Sequence, residues 1–359
     1  MTIVFSVITL GFMSDKVIQM IPADDAGFLS AMYNWGIEVI KVIQQIENPV
    51  LTTILKVITT LGTEAFYVPV ILFILWWIDE KRGLRFGILI IVTAWINSFF
   101  KDLLKQPRPF NLEPSVGLAF EPTYGAPSGH AQMSMAFWVS MAAWLSQKWK
   151  EEKPERKRLF IWGGSVFMIL LIAYTRLYLG VHFPTDIFSG WILAGIILAV
   201  YFIPGPRLQK LIARAGARYQ NIGVAIIVLL MNGLYPKDRM LPAVLLGFCI
   251  GYSLMKIRFP FCARGMINGK KPGSFVMILR CLIGLAGVAV IYVGLKLVFP
   301  GEGSLFSGIP VWGESSPFYE LGRFIRYTFI GLWSSAGAPW VFQRMGLASI
   351  VKNENASSS

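Results

Sequence analysis

The chain has 359 residues, of which 55% are hydrophobic and only 15% charged, with 33 basic and 20 acidic side chains and a formal net charge of +13. Soluble domains carry roughly 25% charged residues, and the apolar residues here come in long blocks, such as 86–100, 159–173 and 276–298, rather than in amphipathic or alternating patterns. This excludes a soluble two-domain enzyme. It also excludes a nucleic-acid-binding protein, whose basic residues would share one soluble face with interleaved aromatics.

In chain order, residues 1–13 are apolar but lack a positively charged leader and a small-residue cleavage site, and so make a poor signal peptide. Residues 28–47 mix apolar positions with Glu38, Lys41 and Glu47, which suits a helix lying in the membrane interface. Pro49 restarts the chain, and 50–62 reads equally as a short span or a second surface helix. Spans are predicted near 65–79, 86–104, 129–147, 158–177 and 185–204, then near 221–236, 240–256, 275–299 and 317–342. A helix needs roughly 20 mostly apolar residues to cross a bilayer. Trp76, Trp77 and Trp149 read as interfacial anchors, and Gly247-x3-Gly251 as a close helix contact.

The Pro/Gly/Arg-rich stretch 206–220 reads as a basic connector. It separates a motif-bearing core at 64–205, preceded by interfacial and first core helices at 1–63, from a four-span unit at 221–345 and a polar tail at 346–359. The tail holds the triplet Asn355-Ala356-Ser357, a chance glycosylation match on a cytoplasmic segment. Cys249 and Cys281 lie in apolar stretches and Cys262 in a basic loop, without the spacing of a disulfide framework or a zinc site.

Alternate loops carry the basic residues. One side holds Lys81, Arg82 and Arg85, then six between 148 and 158, four between 207 and 218, and five between 256 and 271. The other side has Lys237 and Arg239, the acidic Glu302 and Glu314, and two loops with unusual chemistry. By the positive-inside rule the basic side and the tail are cytoplasmic, and the two remaining loops are extracytoplasmic.

Those loops contain both histidines of the chain. The first runs from Lys101 through Arg108-Pro109 to Pro127-Ser128-Gly129-His130; the second is Thr175-Arg176, five residues, His182, three residues, Asp186. Lys101, Arg108 and Arg176 place three cations at the mouth of an apolar bundle, where a charge is costly unless paired, so they imply an anion. Arginine's planar fork suits phosphate oxygens. Ser128 and Gly129 open a helix whose free N–H groups and dipole add an anion site, and Gly129 permits close approach to the backbone.

Two histidines beside a phosphoryl group suit nucleophilic catalysis. One attacks phosphorus and the other protonates the departing oxygen. His182 has Asp186 four residues on to fix its tautomer, which makes His182 the nucleophile, Asp186 its orienter and His130 the acid. Asp186 also suits a helix first turn. Lys105 reads as merely interfacial, and Glu121 and Tyr124 as a solvated loop face. Arg280, Arg323 and Arg326 fall inside apolar spans, where a charge marks function by default. A lipid cleft or transport step is one reading of them; packing or a homodimer contact is the other.

The three linked motifs, Lys101-x6-Arg108-Pro109, Pro127-Ser128-Gly129-His130 and Arg176-x5-His182-x3-Asp186, resemble the signature of the phosphatidic acid phosphatase type 2 superfamily over about residues 50–205. Thr175 stands where that family usually has serine, with a hydroxyl still able to donate to phosphate. The resemblance implies an all-α polytopic membrane protein with a six-helix phosphatase core, here followed by about four further spans. It also implies that the region before residue 63 supplies the sixth core helix.

It further implies hydrolysis of a lipid phosphate or diphosphate through a phosphohistidine, without metal or other cofactor, at a site facing away from the cytoplasm. The membrane would be a bacterial inner membrane, a plasma membrane or the endoplasmic reticulum. A vanadium haloperoxidase, a lipid phosphotransferase and a transporter or scramblase with a vestigial site are the alternatives.

Overall fold

The structure is a computed structural model that describes residues 26–148, 155–267, 269–300, 304–306 and 318–349. The readings of residues 1–13, of Trp149, Glu302 and Glu314, of part of the basic loop between 148 and 158, and of the Asn355 triplet fall outside the described residues.

The fold is all-α, with no strand among the described residues. The elements are α1 (Ala26–Ile43), α2 (Pro49–Ile58), α3 (Glu64–Phe73), α4 (Glu80–Leu104), the short α5 (Pro109–Leu112), α6 (Gly129–Lys148), α7 (Glu155–Tyr178) and α8 (Pro184–Phe202). They continue as α9 (Gly205–Arg214), α10 (Ala217–Leu234), α11 (Met240–Arg258), α12 (Ser274–Val298), α13 (Tyr319–Leu332) and α14 (Ala338–Arg344). Helices are what a bilayer demands, since each backbone polar group must find its partner within the segment.

Among the described residues six helices are long and apolar enough to cross a membrane: Glu80–Leu112, Glu155–Tyr178, Pro184–Phe202, Ala217–Leu234, Met240–Arg258 and Ser274–Val298. Pro49–Gly62 and Glu64–Ile78 form a pair bent by 48° that can serve as a seventh. Residues 50–62, ambiguous in sequence, are helical and form either one arm of a broken span or part of a re-entrant loop. Helix α6 is less apolar than these because it buries Gln132, Ser134 and Ser140.

The described residues fall into two compact units that are not linear in sequence. One comprises those within Met1–Thr63 and Ile96–Leu198, the other those within Glu64–Trp95 and Ala199–Ser359. Every candidate site residue lies in the first.

In the first unit α1 is amphipathic. Tyr33, Ile37 and Ile40, on one face at helical spacing, pack with Val116 and Phe183, while Glu38 and Lys41 pair at 3.3 Å on the exposed face. Asn48 caps α2 by accepting from Leu51 N–H at 2.9 Å, with Pro49 at the first helical position. Leu55 of α2 then packs on Tyr178, Leu179 and Val181, the segment that leads into the second motif. Gln44 donates to the carbonyls of Val116 and Tyr178, both at 2.8 Å, and so ties the first outer loop to the end of α7.

The second unit corrects one sequence reading. Trp76 is not an interfacial anchor: it is fully buried and donates its indole N–H to the Ser334 carbonyl at 2.8 Å. A π-helical turn at Ile74–Ile78 carries it inward, and Gly284 leaves room for the ring. The glycine pair behaves as its spacing suggests. A Cβ at Gly251 would lie 3.0 Å from the Leu332 carbonyl oxygen, and one at Gly247 would lie 2.9 Å from Leu332 N.

The three intramembrane arginines pack against partners within the second unit, although the buried Arg326 Nε has no hydrogen-bond partner among the described residues. Arg280 is fully buried and donates to the carbonyls of Leu347 (2.6 and 2.9 Å), Ala263 (2.7 Å) and Trp76 (3.1 Å), with Phe261 under its guanidinium. Arg323 pairs with Glu320 at 3.1 Å, and Arg326 lies over the rings of Tyr292 and Tyr327. Replacing Arg280 with leucine strands three carbonyls, each costing about 1–3 kcal/mol when buried unpaired. The expected result is a thermal midpoint in detergent lower by roughly 5–10 °C, with turnover per folded molecule unchanged.

Candidate active site

The two motif-bearing loops meet because three helix ends are tied together. Asn97 of α4 donates to the Pro127 carbonyl at 3.1 Å and to Gln132 Oε1 at 2.8 Å. Ser128 donates its N–H to the Asp186 carbonyl at 2.8 Å. Gly190 of α8 sits against the Ser128 carbonyl oxygen and Gln132 N, where a side chain would collide. The start of α6 is therefore held between α4 and α8. Ser128 is fully buried as its N-terminal residue, with its hydroxyl 3.5 Å from Ala131 N. A Cβ at Gly129 would sit 3.0 Å from Asn97 Oδ1, so packing as well as anion access favours glycine there.

His182 lies in the turn between α7 and α8, 1% exposed. Its Nδ1 is 3.2 Å from Asp186 Oδ2, which also accepts the Phe183 N–H at 3.0 Å. Its Nε2 is 3.3 Å from Arg108 Nη1. A guanidinium only donates, so Nε2 must be the accepting nitrogen and Nδ1 carries the proton toward Asp186. Burial, followed by the cations of Arg108, Lys101 and Arg176, pushes His182 well below the ordinary imidazole range. The ring is therefore neutral, with its Nε2 lone pair turned to the cations.

Arg108 is 1% exposed and fixed on several sides. It donates to the carbonyls of Thr123 (2.6 Å) and Val181 (2.8 Å) and to Thr123 Oγ1 (2.9 Å). Arg176, 2% exposed, donates to Thr59 Oγ1 at 2.8 Å. Lys101 donates to the carbonyls of Tyr124 (2.5 Å) and Gly125 (3.1 Å). His130 packs its ring against the turn at Thr59–Gly62, where a Cβ on Gly62 would come within 2.9 Å of His130 Cδ2.

Two readings change. Glu121 is not part of a solvated loop face. Its carboxylate bridges the two arginines, with Oε2 2.8 Å from Arg108 Nη2 and Oε1 on Arg176 Nη2. Burial alone would raise its pKa, but Arg176 and Arg108 outweigh it and hold the carboxyl at about 2. Thr175, expected to contact phosphate, is fully buried and gives its hydroxyl to the Ile172 carbonyl at 2.6 Å, a back-bond common for threonine within a helix. Lys105 is exposed at a positive φ of 48°, as a residue that ends a helix.

Sequence reasoning missed Glu121, Thr59 and Thr123. The usable signal was the cations themselves, since buried guanidiniums need a counter-charge. Among the described residues no group of three or more His, Cys, Asp or Glu side chains converges to hold a metal ion. The arrangement is a neutral imidazole with a carboxylate behind it and cations before it, a second imidazole alongside, and an anion slot between two arginines.

Residues 82–208 match the model of the PAP2 superfamily, and residues 240–350 match that of the PAP2 superfamily phosphatase transmembrane extension. The chain therefore belongs to the PAP2, or phosphatidic acid phosphatase type 2, superfamily and is an integral membrane protein. It is 28% identical to an undecaprenyl-diphosphatase of Sulfolobus acidocaldarius over 166 residues, 45% of this chain and 75% of that protein. It is 23% identical to mouse sphingosine-1-phosphate phosphatase 2 over 316 residues, 80% of this chain and 86% of that one. Phosphatidylglycerophosphatase B of Bacillus subtilis is 28% identical over 157 residues, 43% of this chain and 74% of the relative. No solved structure matches the chain.

Asp186→Asn keeps the shape of the site but removes the charge behind His182. The expected loss in kcat for phosphomonoester hydrolysis is about 10²–10⁴-fold, with KM little changed. Steady-state kinetics on detergent-purified protein measure both.

Proposed function

We propose that this protein is a membrane lipid phosphatase that hydrolyses a lipid phosphate or diphosphate through a phosphohistidine. The observation that carries the reading is the pairing of His182 Nδ1 with Asp186 while Arg108 donates to Nε2. That combination presents a nucleophilic nitrogen to an electropositive slot. The curated relatives named above act by name on lipid phosphates and diphosphates, which supports the same substrate class here.

In this mechanism the phosphoryl group sits against Arg108, Arg176 and Lys101, with the N–H groups at Ser128 and Gly129 as further donors. His182 Nε2 forms a bond to phosphorus as the bond to the lipid oxygen breaks. His130 donates the proton that the departing alcohol or phosphate needs. Asp186 stabilises the imidazolium character that His182 gains. Water, deprotonated by His130, then attacks phosphorus, releases phosphate and restores His182. The fixed cations stabilise the charge that builds on the equatorial oxygens. The step draws on these side chains alone, so chelators should leave it intact.

The loop charges support a sidedness in which the site faces away from the cytoplasm, with the lipid chain remaining in the bilayer. Lys81, Arg82 and Arg85, at one end of α4, belong to the basic side, while Lys101 at the other end belongs to the site.

Purified protein in EDTA is expected to release phosphate from members of a panel of lipid mono- and diphosphates, and His182→Ala to abolish release. Labelled phosphate should be trapped on the protein in an acid-labile, alkali-stable form that is absent from the His182 variant. If His130 is the acid, His130→Ala should lose at least about tenfold less activity on p-nitrophenyl phosphate, whose leaving group needs little protonation, than on an alkyl phosphate. No release from any lipid would sink the reading. Release only with an alcohol acceptor would mark a phosphotransferase instead.

A further inference from the structure

The anion slot already contains an anion. Glu121 sets one carboxylate oxygen on Arg108 Nη2 at 2.8 Å and the other on Arg176 Nη2. The Nη1 of the same Arg108 is 3.3 Å from His182 Nε2. A carboxylate bridging these two guanidiniums therefore sits where the reacting phosphoryl group must sit to come within reach of the nucleophile.

The slot is also incompletely filled. Arg176 Nε is buried and has no hydrogen-bond partner among the described residues. Nε and one terminal nitrogen of a guanidinium form a fork suited to two oxygens of one anion, and Glu121 supplies Arg176 with only one. A phosphoryl group, with an additional terminal oxygen, can take both prongs of Arg176 and still reach Arg108. The remaining donors of Arg108 are committed to Thr123, Val181 and His182, so its contact to the slot is the one that Glu121 holds.

Glu121 is placed to leave. Its side chain is 27% exposed against 1–2% for its partners. The loop around it is pinned on both sides, by Leu118 N–H on the Leu179 carbonyl (3.1 Å) and Gly125 N–H on the Gln106 carbonyl (2.8 Å). A change of Glu121 rotamers can empty the slot while both pinned ends stay in place.

We propose that Glu121 is an internal occupant of the phosphate site, bridging Arg108 and Arg176 in the resting protein and exchanging with the phosphoryl group of the substrate. The inference rests on the phosphatase reading of the same site and adds a residue that sets its affinity for anions. Without a ligand, Glu121 keeps two buried cations paired. With one, it competes, and only an anion with better geometry or more charge displaces it. A site open for only a fraction of the time binds more weakly by that fraction.

The test is Glu121→Gln, which keeps size and removes charge. Orthovanadate and inorganic phosphate should inhibit the variant at concentrations lower by about tenfold or more, as the closed fraction is released. Its thermal midpoint should fall without phosphate and rise more than that of wild type when phosphate is added. An unchanged or higher inhibition constant, with no larger phosphate-dependent shift, would overturn the proposal, because it would mean Glu121 stays in place and only orients the arginines.

Should the variant fail to fold, the wild-type protein supplies an independent reading. Hydrogen exchange across residues 118–125 should rise on saturation with orthovanadate, as Glu121 is released; unchanged or slower exchange counts against displacement. Failure of the phosphatase reading looks different, as wild-type protein that hydrolyses no lipid phosphate even though these anion-binding measurements succeed.

Discussion

Burying a guanidinium among apolar helices is costly unless its charge and donors are met, and the first unit buries two. Arg108 and Arg176 are almost wholly enclosed, and much of the surrounding architecture serves to satisfy them. Thr59 reaches Arg176 from the turn after α2; Thr123 and Val181 surround Arg108 from the two motif loops; Glu121 bridges both. These contacts also hold the loops together, so the groups that satisfy the two guanidiniums are the groups that build the site.

The same enclosure sets the chemistry. A histidine next to fixed cations and out of water stays neutral, the form that the proposed nucleophile needs and that an exposed imidazole near pH 6.5 would only half provide. Asp186 then has two functions that do not compete. One oxygen meets both the Nδ1 of His182 and the Phe183 N–H, while its backbone carbonyl receives the Ser128 N–H. That residue thereby links the second motif to the helix start that carries His130.

The second unit treats its buried cation differently. Arg280 meets backbone carbonyls and an aromatic face, with each of its three nitrogens bonded within the fold. Arg176 instead meets a carboxylate, Glu121, held on a partly exposed side chain. Intramembrane position alone made Arg280 look equivalent to the motif arginines; its backbone-carbonyl partners set it apart.

By itself the sequence determined the membrane class, the all-α fold and the membership marked by three motifs, because hydropathy and motif spacing are local properties. The motif residues His182, His130, Asp186, Lys101, Arg108, Ser128, Gly129 and Arg176 were legible in the same way. Only the tertiary structure decided the contacts of Glu121, Trp76 and Thr175. Glu121 is 55 residues from Arg176 and Trp76 is 258 from Ser334, and no local pattern records a pairing across such distances. Thr175 turned the other way for a local reason, since a helical threonine finds the carbonyl of the preceding turn before any ligand. Composition announced an excess of positive charge; the fold decided which of those charges meet the chain's own carboxylates and carbonyls.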